Sequence, residues 1–119
     1  MTIDEIFDEV ETLLIEQGIR PQLLHWDLSH NEGDAPNLVT LDRIQIREEF
    51  EEQGWSDKAL KVFTRYCDQH SLDAKLTVRR LTERTNLRRL RRLYTRNGFI
   101  ADVGRKNGMT RRCQRSTAP

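Results

Sequence analysis

The sequence predicts a single mixed α/β domain, with one sheet, helices packed on both its sides and a right-handed crossover between two parallel strands. Three observations carry this. An apolar strand pattern over Leu38–Ile46 runs into a charged turn with one glycine, Gly54, and a helix whose apolar face returns every three or four residues leaves that turn. A second strand (Lys75–Leu81), a helix from Asn86 to Arg96 and a closing hairpin follow, an order that favours a parallel crossover. The 119 residues hold one core, so residues 1–119 read as one domain.

Taken in order, residues 3–17 read as an amphipathic helix, because Ile3, Ile6, Phe7, Val10, Leu13 and Leu14 recur at helical spacing. Thr2 and Glu5 have the spacing of a capping box, and Gly18 suits the position just past the C-terminus. Arg20 and Pro21 break the pattern, and Leu23–Leu28 reads as a short strand. A polar turn over Ser29–Asn37 returns the chain into Leu38, which makes the two strands an antiparallel hairpin. Within Leu38–Ile46 the apolar positions change parity, from Val39 and Leu41 to Ile44 and Ile46. One extra residue near Asp42 and Arg43, a β-bulge, explains the switch; a strand buried on both faces explains it equally in kind. The helix after Gly54 carries Ala59, Leu60, Phe63, Tyr66 and Cys67 on its apolar face, and the later helix carries Leu87, Leu90, Leu93 and Tyr94.

Composition narrows the function classes. Hydrophobic residues make up 36% and charged residues 33%. No apolar run approaches the roughly 20 residues of a membrane span, and the start MTIDEIFDE is acidic where a signal peptide is basic, so a cytoplasmic setting without membrane contact is expected. Cys67 and Cys113 lie far apart and His25, His30 and His70 are scattered, which predicts no metal site and no structural disulfide; Cys67 reads as a small core residue. The net charge of +1 hides an asymmetry: residues 1–73 carry six basic and seventeen acidic side chains, residues 74–119 fourteen and two. Such a split marks either a basic interacting tail or acidic and basic faces side by side in one domain. Arg88, Arg89, Arg91, Arg92 and Arg96 share the outer face of their helix. That face reads as solvated, as a surface for nucleic acid or an acidic protein, or as a taker of cofactor phosphates.

A strand, a glycine turn and a helix together form a place where backbone N–H groups converge on one anion, since the first helical turn has free donors and a positive dipole end. Read as IQIREEFEEQGWSDKAL, this stretch resembles motif A of the GCN5-related N-acetyltransferases (GNAT), in which a strand leads through Gln/Arg-x-x-Gly-x-Gly/Ala into a helix. Gly54 fits that pattern, Ser56 stands for its second small residue, and Glu51 stands where the family has Gln or Arg. A carboxylate there repels a pyrophosphate unless it faces solvent. A second stretch resembles the same family: the run Leu93, Tyr94, Thr95, Arg96, Asn97, Gly98, Phe99 matches apolar-Tyr-x-x-x-Gly-Phe, and the tail through Met109 and Arg111 is similar to the closing strands of compact bacterial and phage members. The resemblance covers residues 38–112; before Leu38 the chain is shorter than the family pattern.

The resemblance implies an N-terminally shortened GNAT fold and an acetyl-CoA-dependent N-acetyltransferase. Acetyl-CoA would lie in the gap between Leu38–Ile46 and Lys75–Leu81, its pantetheine paired with backbone at Ile44, Gln45 and Ile46. Its pyrophosphate would sit on Gln53, Gly54, Trp55 and Ser56, with Asp57 and Lys58 in the helix behind. Tyr94 matches the family tyrosine that protonates the leaving thiolate, although a tyrosine on an apolar face also reads simply as core. Asp42 is the candidate general base, with Glu48 and Glu49 as lesser ones. The acceptor implied is an amine, a lysine on a protein, with a phage protein acting on a host protein as one setting and a homodimer compatible with it. Two other readings compete: an inactive GNAT-fold binding protein and a basic nucleic-acid-binding module.

Overall fold

The computed structural model describes residues 2–20, 24–46, 54–79 and 86–114. Three helices and five strands follow in the order α1 (Ile3–Glu16), β1 (Leu24–Ser29), β2 (Leu38–Ile46), α2 (Trp55–Gln69), β3 (Asp73–Thr77), α3 (Leu87–Arg96), β4 (Ile100–Ala101) and β5 (Gly108–Arg111). The sheet order is β1-β2-β3-β5-β4, so the last strand inserts between the third and fourth.

Local chemistry explains the element ends. Thr2 and Glu5 close the capping box at α1, a device that contributes about 1 kcal/mol. Gly18 follows with φ 82°, in the left-handed region. Asn86 caps α3 through its side-chain oxygen, which accepts the Arg89 N–H. The second strand of the crossover begins earlier than its apolar residues announce, at Asp73 rather than Lys75, because the Asp73 N–H donates to the Asn37 carbonyl and opens the β2–β3 ladder there. Its expected end at Leu81 lies outside the described residues, as do Leu23, Glu48, Glu49, Glu51 and Gln53.

The β-bulge is real. In the β1–β2 ladder Asp27 pairs with Arg43 and Leu28 with Leu41, which leaves Asp42 as the inserted residue. Val39, Leu41 and Ile44 are buried on one face while Thr40 and Arg43 are not, so the parity switch does not reflect a strand buried on both faces.

The helices are not distributed over both faces as expected. Register puts Trp26, Leu41, Val39, Ala74 and Arg111 on one face of the sheet. Phe7 of α1 stacks on Trp26, with centroids 4.1 Å apart, and Arg111 reaches both Asp68 of α2 and the Asn97 carbonyl at the end of α3. All three helices therefore lie on that face. Both crossovers advance in the same direction across the sheet, and right-handed crossovers of that kind place their helices on one side. The opposite face carries His25, Asp27, Thr40, Lys75 and Thr110, and is polar. One continuous core of buried side chains fills the helix side, with Phe63, Tyr66, Phe99 and Leu60 among its largest members; burial of each such side chain stabilises the fold by roughly 1.5–3 kcal/mol.

Among the described residues no helix is long and apolar enough to cross a membrane, and no cluster of side chains suits a metal ion. Both cysteines are free thiols; burial pushes Cys67 up to about 12, which leaves it an inert core thiol.

Candidate functional site

The site is made by one inserted residue. From Leu38 to Thr40, β2 pairs with β3 in parallel, Leu38 with Asp73, Val39 with Ala74 and Thr40 with Lys75. The ladder then stops, and the bulge at Asp42 turns the rest of β2 away. Beyond this point the strands are splayed, and a long side chain crosses the gap: Arg79 Nη2 donates to the Asp42 carbonyl at 3.3 Å. Backbone groups of Asp42–Ile46 on the β3 side are thus released from the ladder, and Ile44, Gln45 and Ile46 all lie on this splayed segment.

The other expected half of the site is the start of α2. Gly54 takes the left-handed conformation (φ 71°, ψ 12°) as its N-cap, with no side chain capping the helix. Glycine adopts that conformation at little cost, and the open first turn keeps the positive end of the helix dipole. Trp55 and Ser56 open the helix, and the Lys58 ammonium lies 5.6 Å from the Trp55 ring centroid. The Asp57 carboxylate is engaged elsewhere: it pairs with Lys61, accepts Asn97 Nδ2–H at 3.0 Å and lies 3.9 Å from Arg96. The Lys61 hydrogen bond, outweighing partial burial and helped by Asn97 and the two cations, holds Asp57 below the usual carboxylate range. Its negative charge is compensated locally by these neighbours.

The same Asn97 fixes the next element. Its amide also donates to the Leu93 carbonyl at 2.8 Å, so the last turn of α3, which holds Tyr94, is clamped beside the first turn of α2. Tyr94 is buried and meets Phe99 edge-on at 5.8 Å. Its hydroxyl has no hydrogen-bond partner among the described residues, and burial pushes its pKa up to about 12. It is therefore a protonated phenol at neutral pH with its donor uncommitted.

A cavity of about 430 Å³ opens where α1 meets the bulge, bounded by Phe7, Glu11, Trp26, Asp27, Asp42 and Arg79. Asp42 thus belongs both to the bulge and to the cavity wall. Arg79, Glu11 and the Phe7–Trp26 stack are members of this region that periodicity alone does not reveal: each looks like an ordinary strand-end cation, outer helix carboxylate or core aromatic. Arg111 had a signal, being the arginine of the closing motif. It proves to be the brace that positions both helices, donating through Nε to the Asn97 carbonyl at 2.8 Å and through both terminal nitrogens to Asp68 at 2.8 and 2.9 Å.

No protein-family model and no curated protein matches this sequence. Among solved structures, the chain is similar to one in the crystal structure of the KacTA–DNA complex, with TM-score 0.51 and 23% identity over 76% of this chain and 55% of that one. It is also similar to a chain in the structure of a tyrosine-to-phenylalanine mutant of the AtaT toxin bound to the C-terminus of the antitoxin AtaR and acetyl-CoA, with TM-score 0.44 and 20% identity over 76% of this chain and 56% of that one. The chain spans about half the length of each. The first of these likenesses is one of fold alone, and the five-stranded mixed sheet with its inserted last strand is consistent with a GNAT-like fold.

Proposed function

We propose that this chain is an acetyl-CoA-dependent N-acetyltransferase acting on a primary amine, a lysine side chain of a protein. The observation that carries the reading is the release of β2 from β3 at the Asp42 bulge, in a strand whose next helix starts uncapped at Gly54. An extended pantetheine finds free backbone partners along Ile44–Ile46, and a pyrophosphate finds the donors and dipole of the α2 start. Compensation of Asp57 by Lys61, Asn97 and Arg96 removes the carboxylate of the first turn of α2 as an obstacle to an anion.

In this reading the acceptor amine, once neutral, attacks the thioester carbonyl carbon; a C–N bond forms and the C–S bond breaks. Asp42, at the bulge, takes the proton that the ammonium must lose, directly or through a water. Tyr94, held protonated by its burial, gives its proton to the departing thiolate, and the second proton, shed by the nitrogen as the amide forms, returns through water to the Tyr94 oxygen. A cytoplasmic setting and a phage or mobile-element origin belong to the same reading. The exposed Arg88, Arg89, Arg91, Arg92 and Arg96, on a helix without one acidic residue, favour a second one in which this face holds nucleic acid.

Thermal shift separates the readings, because a ligand that binds only the folded state raises its melting point. Acetyl-CoA and free CoA are expected to stabilise the protein and an oligonucleotide to leave it unchanged, with acetylation of a lysine peptide followed by mass. Stabilisation by the oligonucleotide alone would transfer the assignment to the nucleic-acid module; firm CoA binding without turnover on any amine would leave an inactive binder.

A further inference from the structure

The cavity beside the bulge has a composition that selects a ligand. Its carboxylates are Glu11 from α1, Asp27 from β1 and Asp42 from the bulge. Asp27 Oδ1 accepts the Leu28 N–H at 2.9 Å. Glu11 and Asp42, both half-buried, have no hydrogen-bond or ion-pair partner for their carboxylates among the described residues. Neither cation of the wall pairs with them among the described residues: Arg79 donates through Nη2 to the Asp42 carbonyl oxygen, and both Arg79 and Arg43 are exposed. Two carboxylates without partners on the wall of one cavity attract a cation. The rest of the wall is made by Leu24, His25, Arg43, Arg79 and an aromatic stack, the Phe7 and Trp26 rings lying parallel within 6° at 4.1 Å. The buried Trp26 Nε1–H finds no acceptor there.

We propose that this cavity receives the cationic side chain of the acceptor, a primary ammonium on an unbranched alkyl stem, of which the lysine side chain is the protein form. The stem packs along the Phe7–Trp26 wall, as lysine methylenes do on apolar surface, and the ammonium lies between Glu11 and Asp42 at the mouth of the splay. A volume of about 430 Å³ is in the range of small-ligand sites. Glu11 is a positioning residue here: it draws the charged amine to the bulge, where Asp42 can receive the proton. The inference deepens the acetyltransferase reading and rests on it for the fate of the bound amine.

The test uses Nα-acetyl-lysine amide and its neutral isostere Nα-acetyl-norleucine amide on the full chain, with two readouts. The Trp26 indole N–H resonance, assigned by Trp26→Phe, is expected to shift with the lysine amide and to stay still with the norleucine amide. In turnover, Glu11→Gln is expected to raise KM for the lysine amide about tenfold, the loss of one charge-assisted contact, with kcat and acetyl-CoA affinity little changed and Glu11→Asp intermediate. An unshifted indole together with an unchanged KM in a protein that acetylates the amide would overturn the cavity assignment and leave the acetyltransferase standing. A charge-selective indole shift that depends on Glu11, in a protein that neither binds acetyl-CoA nor turns over, would support the ammonium site and retire acetyl transfer.

Discussion

The two ends of the β2–β3 pair are built from the same strands and behave oppositely. At the Leu38 end the strands are zipped: three residue pairs form the ladder, the Asp73 N–H reaches the Asn37 carbonyl, and Lys75 meets Asp34 at 2.6 Å. At the other end, one inserted residue parts them, and the side chain of Arg79 bridges to the bulge. Stability is concentrated where backbone groups satisfy each other, and binding capacity where they are released. The zipped end is further braced from behind by Arg111, whose side chain is 5% exposed and ties α2, the close of α3 and β5 into one unit. A splay can persist only because this other end does not move.

Breaking the brace should therefore have the largest effect. Arg111→Ala removes a bidentate partner from Asp68 and a donor from the Asn97 carbonyl, and is expected to lower unfolding free energy by about 3 kcal/mol in denaturant titration. An unchanged midpoint would mean that the closed end is held by the ladder alone. At the open end the largest expected effect is on chemistry rather than stability. Tyr94→Phe keeps the ring against Phe99 and loses a hydroxyl without partners among the described residues, so turnover should fall about 10²-fold while CoA affinity and melting temperature stay as in the parent. Equal turnover would remove Tyr94 from the mechanism and leave it a core residue.

These contrasts show what was legible in the sequence. The bulge was written in the parity change between Leu41 and Ile44, because a buried strand face leaves a period-two record that one insertion must disrupt. The Gly54 turn and the Tyr94 helix were visible through motif spacing. The distribution of helices was not, since amphipathic periodicity says that a helix has a buried face and nothing about which side of the sheet supplies it. Nor was the pairing of acidic with basic residues: Asp68 with Arg111 and Asp57 with Arg96 join stretches that composition counts as opposite blocks. The Glu11–Asp42 juxtaposition is tertiary in the same way, because the two are brought together by the packing of α1 against the hairpin.

Smaller perturbations sharpen the comparison. Gly54→Val introduces a β-branched side chain at φ 71°, which costs about 1–2 kcal/mol of strain. An added Cβ meets nothing within 4 Å, so the loss should come from backbone conformation and from reduced approach of a phosphate, visible as weaker CoA binding in a protein that still folds. Unaltered affinity would place the phosphate site elsewhere. Acid should act first on the braced end. Burial works to raise Asp68, but Arg111 and the Gln114 N–H outweigh it and hold its carboxyl below the ordinary value of 3.8. A carboxylate depressed in the folded state contributes stability that is present above the unfolded value and is lost as pH falls through the folded one. Stability measured from pH 6 down through pH 3 should therefore decline below about pH 4, and Asp68→Asn, less stable throughout, should show a shallower decline; equal slopes would remove Asp68 from the acid response.

The central claim, that the splay and the α2 start form one acetyl-CoA site, is tested most directly by backbone amide chemical-shift mapping during acetyl-CoA titration. The account predicts saturable shifts confined to Asp42–Ile46, Gly54–Lys58 and the Tyr94 turn, with the zipped pairs Leu38–Asp73 and Val39–Ala74 unchanged. Shifts at the arginine face of α3 or at the β4 edge, with Asp42–Ile46 and Gly54–Lys58 silent, would contradict it.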